Sequence, residues 1–264
     1  MSGGYRDSVP YARARDDSDG RSLNDSENHT EKKTRAASTP ARIGLSHVGC
    51  RPKTVDWLRF RYDHALARDA VHSELSEQFL KRFATVPVVQ STASDRSNYI
   101  LMPPKGKLVD LRTLEELTRS CPHGRDVQFI ISDGLSAKAV EENAADLLAI
   151  LEDGLQFAQI TTGTPIIARF ARVAIGDQIA YALGAKLVIN LIGERPGLSS
   201  ACSMSAYLTY NPGPHTISSD RTVVSNIHSG GTPAVEAGAY ISKLIKSILK
   251  AKLSGVALQQ LSQQ

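Results

Sequence analysis

The sequence predicts an α/β protein built on a mostly parallel, doubly wound sheet, with a small N-terminal helical domain. Three observations carry this expectation. Val127–Ser132 (VQFIIS) and Lys186–Ile192 (KLVINLI) are continuous apolar runs of strand length without polar alternation, as in strands covered on both faces. Stretches with apolar residues at helical spacing separate the strand candidates. The 264 residues, 41% hydrophobic and 22% charged, suffice for a sizeable core and exclude a fibrous or low-complexity chain.

Taken in order, residues 1–40 differ from the rest. They hold no Ile, Phe or Trp, a single Leu (Leu23) and a single Val (Val9), and seven Lys/Arg balanced by seven Asp/Glu. Such a segment buries too little apolar surface to offset its ordering entropy, roughly 1–2 kcal/mol per residue, so a disordered polar tail is expected. Residues 41–84 read as a helical domain. Val55, Leu58, Tyr62, Ala65 and Leu66, then Val71, Leu75, Phe79, Leu80 and Phe83, follow helical spacing, with Thr54 as the expected N-cap. Arg42, Arg51, Lys53, Arg59 and Arg61 give this region a basic entrance that reads as a solvated face.

Residues 85–264 form the expected α/β cofactor-binding domain. Extended pieces at Thr85–Gln90 and Tyr99–Leu101 lead to a Pro-Pro-Lys-Gly turn at 103–106 and a helix over Asp110–Ser120, capped by Asp110. Strand Val127–Ser132 is followed by helix Ser136–Gly154, strand Pro165–Ala171, helix Asp177–Leu183, strand Lys186–Ile192, strand Ser205–Tyr210 and a closing helix over Ala234–Lys250. The alternation is Rossmann-like.

Several function classes are excluded or weakened. No apolar run approaches the ~18 residues of a membrane span. The N-terminus has no apolar stretch of signal type, and Cys50, Cys121 and Cys202 are odd in number and widely spaced, so a reducing cytoplasm is expected. A net charge of +4 is too weak to argue for nucleic acid. GxGxxG, GxxxxGK[ST] and GxSxG are absent, and seven scattered histidines make no metal-ligand spacing.

In a doubly wound sheet, ligands lie beyond the carboxyl ends of the strands. Here those ends run into Ser132-Asp133-Gly134-Leu135-Ser136, Arg172-Val173-Ala174 and Gly193-Glu194-Arg195-Pro196-Gly197. Each alone reads as a turn or a cap; three converging on one edge read as a site. The Ser229-Gly230-Gly231-Thr232-Pro233 segment reads as a sharp helix start, with Thr232 as cap, that suits an anion or needs no ligand at all. Asp133, Ser136 and His228 make a weak candidate triad, because Ser136 reads as a helix cap.

The runs VQFIISDGLSAKAV, GTPIIARFARVAIGDQIAYALGAKLVINLIGERPGLS and DRTVVSNIHSGGTPAVEAGAY resemble the small subunit of ethanolamine ammonia-lyase, from about Ala41 to Leu253. The resemblance implies an adenosylcobalamin-dependent lyase converting ethanolamine to acetaldehyde and ammonia. A large TIM-barrel subunit carries the substrate pocket, and the small subunit closes the cobalamin site at the interface within a hetero-oligomer. It implies cofactor contacts at Val173, Glu194 and Val223, with no catalytic or metal-ligating residue on this chain and dependence on the partner for activity. The family pattern has cysteine where this chain has Val223, and an Arg- and Asp-bearing stretch where this chain reads Met102-Pro103-Pro104-Lys105-Gly106-Lys107-Leu108. The polar tail shows no amphipathic microcompartment-targeting helix. The rival reading is a non-catalytic nucleotide- or corrinoid-binding interaction module.

Overall fold

A computed structural model describes residues 42, 43, 45 and 47–261; the tail expected over residues 1–40 lies outside them. The chain divides into two compact units, meeting in sequence between Trp57 and Leu58. In the first, His47–Val48 (β1) and Arg51–Pro52 (β2) pair antiparallel around Gly49, whose φ of 64° suits a residue without a Cβ. Residues 47–52 are therefore a hairpin, not helix. Helix α1 (Thr54–His72) follows. Thr54 is its first residue rather than its cap: the Trp57 N–H donates to the Lys53 carbonyl.

From Leu58 onward the chain continues through α2 (Glu77–Arg82), β3 (Val88–Gln90), α3 (Arg96–Leu101), α4 (Leu111–Ser120), β4 (Val127–Ser132), α5 (Ala137–Phe157), β5 (Ile166–Arg169), α6 (Ala174–Ala182), β6 (Leu187–Gly193), β7 (Met204–Tyr210), β8 (Arg221–Ile227), α7 (Ala234–Ala251) and α8 (Gly255–Leu261). The sheet order is β3-β5-β4-β6-β7-β8. The first four strands are parallel; β6–β7 and β7–β8 are antiparallel. The expected mostly parallel α/β sheet is present, with an antiparallel edge that continuous apolar runs do not announce.

The two faces have separate cores. Phe129 and Ile131 of β4 with Leu191 of β6 pack against α5 and α7, through Leu147, Leu151, Ile241 and Ile245. Ile130, Ile166 and Val188 on the opposite face pack against α4 and α6, through Leu117, Ile175 and Ile179. The chain thus leaves β4 toward one face (α5) and neighbouring β5 toward the other (α6), which opens a crevice at their carboxyl ends.

Three expectations are corrected. Tyr99–Leu101 belongs to helix α3, started by Asp95, which accepts the Asn98 N–H at 2.8 Å. Helix α6 begins at Ala174, three residues before Asp177. Pro233 occupies the N-cap of α7, so Thr232 lies outside the helix.

At the base of the sheet, Asp126 accepts from the Thr161 N–H and hydroxyl and from Lys186 Nζ at 2.8 Å. Burial works to raise its pKa, but these donors outweigh it and hold the carboxyl at about 2. A carboxyl depressed on folding contributes stability above its unfolded value and loses it as pH falls toward the folded one. Solvent screening reduces what the exposed ion pair itself adds, so the backbone and hydroxyl donors of Thr161 matter beside it. Asp126→Asn is expected to flatten the fall in unfolding free energy between about pH 4 and pH 2, measurable by denaturant titration; an unchanged acid limb would contradict the pairing.

Candidate functional site

All three strand-end loops line one cleft of about 200 Å³: Gly134 and Leu135 after β4, Arg172 and Val173 after β5, and Gly193, Glu194 and Arg195 at and after β6, with Tyr99 and Tyr207. Two larger hollows, of about 660 and 360 Å³, are lined by other segments, Lys138, Glu142, Cys202 and His228 in one and Phe60, His64, His72 and Leu198 in the other. We place the site in the smaller cleft because only there do the strand ends meet. A volume of about 200 Å³ is below the roughly 300–1,000 Å³ of a self-sufficient ligand pocket, so this is one wall of a site.

Glu194 is half-buried and held from three directions. Ser203 Oγ donates to its Oε2 at 2.7 Å, Ser205 Oγ donates to Oε1, and the Asn226 N–H donates to Oε1 at 3.1 Å. The last donor depends on a bulge: the β7–β8 register shifts between Met204 and Ala206, and Asn226 takes a φ of 63°. The extra β8 residue re-aims its amide toward the carboxylate. Burial works to raise the Glu194 pKa; the two hydroxyls, the amide and the charge of His228 outweigh it and hold the carboxyl below its ordinary range. Oε2 has one donor and room for a second.

Val173 sits at the N-cap of α6. Its carbonyl accepts from Asn190 Nδ2 at 3.1 Å and from the Gly176 N–H at 3.2 Å, whereas its own N–H has no acceptor among the described residues. That leaves an amide donor at the positive end of a helix beside the cleft. Val223 is not a lining residue. It lies one strand beyond the cleft, at the end of the lateral row Ile130, Asn190, Tyr207, Val223, and is 45% exposed. The ion pair of Arg221 on β8 with Asp177 on α6 ties its strand to the helix that Val173 starts. Sequence reasoning therefore names two residues in the cleft and a third beside it.

It missed Tyr99 and Tyr207, which also line the cleft, and Asn190, Ser203 and Ser205, which hold Val173 and Glu194. Tyr99 is fully buried, with the Arg172 and Arg96 guanidinium carbons 4.4 and 5.0 Å from its ring centroid. Burial pushes its hydroxyl up to about 12, and it donates to the Ala171 carbonyl at 3.1 Å. The signal for Asn190 was its place as the one polar residue within the apolar run Leu187–Ile192.

The candidate triad does not form. Ser136 Oγ caps α5 through the Ala139 N–H and donates to the Ala201 carbonyl; His228 bonds Asn226 and Gly230; Asp133 accepts from the Phe170 and Ala171 amides. The amides of Gly230, Gly231 and Thr232 are likewise engaged, by His228 Nδ1 and by the carbonyls of His228 and Asn226, so they do not form an open anion cradle. Among the described residues no group of three or more His, Cys, Asp or Glu could hold a metal ion, and no helix is long and apolar enough to cross a membrane.

Comparison with known proteins decides the family. The ethanolamine ammonia-lyase light chain (EutC) family matches residues 29–259. The chain belongs to that family. It is 46% identical over 221 residues to the ethanolamine ammonia-lyase small subunit of Fusobacterium nucleatum, covering 84% of this chain and 75% of the relative. It is 43% identical over 223 residues to that of Clostridium perfringens, with the same coverage, and 40% identical over 237 residues to that of Lachnoclostridium phytofermentans, covering 90% and 80%. It is thus a small subunit of the ethanolamine ammonia-lyase type.

Proposed function

We propose that this light chain forms one wall of an adenosylcobalamin site, which the large subunit completes, in an enzyme that converts ethanolamine to acetaldehyde and ammonia. The observation that carries the reading is the joint placement of the Val173 amide and the Glu194 carboxylate on one shallow cleft. The donor set suits a corrin, whose rim bears amide arms with both N–H donors and carbonyl acceptors. An arm's carbonyl can accept from the Val173 N–H, and an arm's N–H can donate to Glu194 Oε2. Val223 would offer packing and backbone contact, its side chain being apolar.

When bound, the cofactor supplies radical chemistry through homolysis of its cobalt–carbon bond. The light chain's part is to bind, orient and exclude water, which protects such chemistry from side reactions. Glu194, kept ionised, is fixed before the ligand arrives, so little ordering entropy remains to be lost on binding. The shallowness of the cleft is consistent with a second polypeptide closing it. The exposed Leu58, Tyr62 and Leu66 of α1 are further surface of the kind a partner covers. The same reading makes the chain inactive alone, since its cleft is one wall of a site that the large subunit completes.

Co-expression with the large subunit tests this: acetaldehyde release should require both chains and added adenosylcobalamin. Undiminished release from the large subunit alone would overturn it. The domain division proposed here keeps residues 1–40 apart from the folded units. Their deletion is expected to leave assembly intact and corrinoid affinity within about two-fold; loss of the complex on truncation, read by size-exclusion chromatography, would show the tail to be tied down.

A further inference from the structure

We infer that Asp133 is a positioning residue for the cofactor-facing turn: its carboxylate and the Asn190 amide clamp residues 170–173 so that Val173 is presented to the cleft. This rests on the cobalamin reading above. The turn has an unusual backbone. Phe170 has a φ of 52°, a left-handed conformation that bulky side chains rarely adopt and that persists only where the surroundings over-determine it.

The surroundings here do. A left-handed residue turns two successive amides toward one point, the arrangement that elsewhere binds anions. Asp133 fills it from within: Oδ2 accepts the Phe170 N–H at 2.8 Å and Oδ1 accepts the Ala171 N–H at 3.0 Å. Ser91 Oγ donates to the Phe170 carbonyl at 2.7 Å and Tyr99 Oη to the Ala171 carbonyl at 3.1 Å. The Arg172 N–H donates to the Gly106 carbonyl at 2.7 Å, and Asn190 Nδ2 closes the far end at the Val173 carbonyl. Each residue from Phe170 to Val173 is thereby held through its backbone.

Asp133 is 1% exposed and does not line the cleft, so it acts through Val173. Burying a carboxylate is unfavourable, and burial pushes its pKa up to about 6 despite the two amides and Arg96. Arg96 Nη1 approaches Oδ2 at 3.5 Å and donates to the Gly134 carbonyl at 2.8 Å, both in the loop after β4. An amide in place of the carboxylate would keep the volume but oppose an N–H with an N–H. Two acceptor oxygens facing two donors require an aspartate.

The test uses the assembled light and large subunits, with cyanocobalamin, which does not turn over, as the probe. Cyanocobalamin affinity is read from the visible spectrum and the turn from amide hydrogen exchange. Asp133→Asn is expected to weaken binding by about ten-fold or more and to speed exchange at Phe170 and Ala171. Ile245→Ala, in the core on the opposite face, controls for general destabilisation: it should lower the melting temperature and leave affinity within about two-fold. Should Asp133→Asn fail to fold, Asn190→Leu removes only the far clamp and is expected to weaken binding about three- to ten-fold. Wild-type affinity in whichever clamp variant folds, or an equal loss in Ile245→Ala, overturns the inference. A wild-type complex that binds no corrinoid overturns the cofactor reading itself, which separates the two failures.

Discussion

Replacing Gly193 by alanine is expected to lower the melting temperature by about 6–12 °C or to prevent folding. A Cβ there would stand 2.0 Å from the Ser136 carbonyl oxygen and 2.7 Å from that of Asp133. Both are backbone atoms at the head of α5, so relief means moving a helix start against the sheet rather than turning a side chain. Such overpacking costs about 3 kcal/mol, which in a chain of this size corresponds to about 2–4 °C per kcal/mol. The Leu135 N–H that donates to the Gly193 carbonyl at 3.0 Å would be lost as the backbones separate. Gly134, at φ 57°, faces the same crossing from the other side, its own Cβ position lying 2.2 Å from the Gly193 oxygen. Gly124→Ala gives the contrast: its φ is 64° but nothing lies within 4 Å. It should show only the left-handed penalty, about 1 kcal/mol. Thermal melts followed by circular dichroism measure both; equal shifts would deny the close crossing at Gly193.

The second large effect is expected at Glu194. Glu194→Ala should weaken corrinoid affinity of the two-subunit complex by about 5- to 150-fold, the range of one hydrogen bond to a charged group at about 1–3 kcal/mol. Part of that loss comes from the other side of the bond, because Ser203, Ser205 and the Asn226 amide lose the acceptor that fixes them. Glu194→Gln should fall between, since its amide oxygen still accepts but its Nε2–H2 group cannot. Absorbance titration with cyanocobalamin reads the change, and unaltered affinity in Glu194→Ala would remove this residue from the site.

Much of the scaffold is legible without coordinates. VQFIIS is buried at all six positions, Gln128 and Ser132 included, as its lack of polar alternation requires of a strand covered on both sides. Ser136 and Asp110 act as the caps their positions suggest, accepting the Ala139 and Thr113 amides. The misreadings are local and share a cause. Tyr99–Leu101 looks extended because Tyr and Ile favour strands, yet an Asp95 cap and the burial of Tyr99 between two arginines make it the end of a helix. RTVVSNI is a strand with a largely solvent-facing pattern, and it is held in register by β7, a partner that its own composition does not reveal.

The site divides in the same way. The sequence by itself determined that polar and glycine-bearing loops end three apolar strands, because strand burial and helix capping are local in the chain. Family motifs then singled out Val173, Glu194 and Val223 within or near those loops. Only the tertiary structure decided what holds each one: serines and a bulged amide around Glu194, an aspartate and an asparagine around the turn before Val173, and an edge strand carrying Val223 beside the cleft. Hydrogen bonds between residues 79 or 37 positions apart, such as Ser91 to Phe170 and Asp133 to Phe170, leave no periodic trace in a sequence. They arise where the sheet order brings strand ends together, so they become visible only after the strands have been placed side by side.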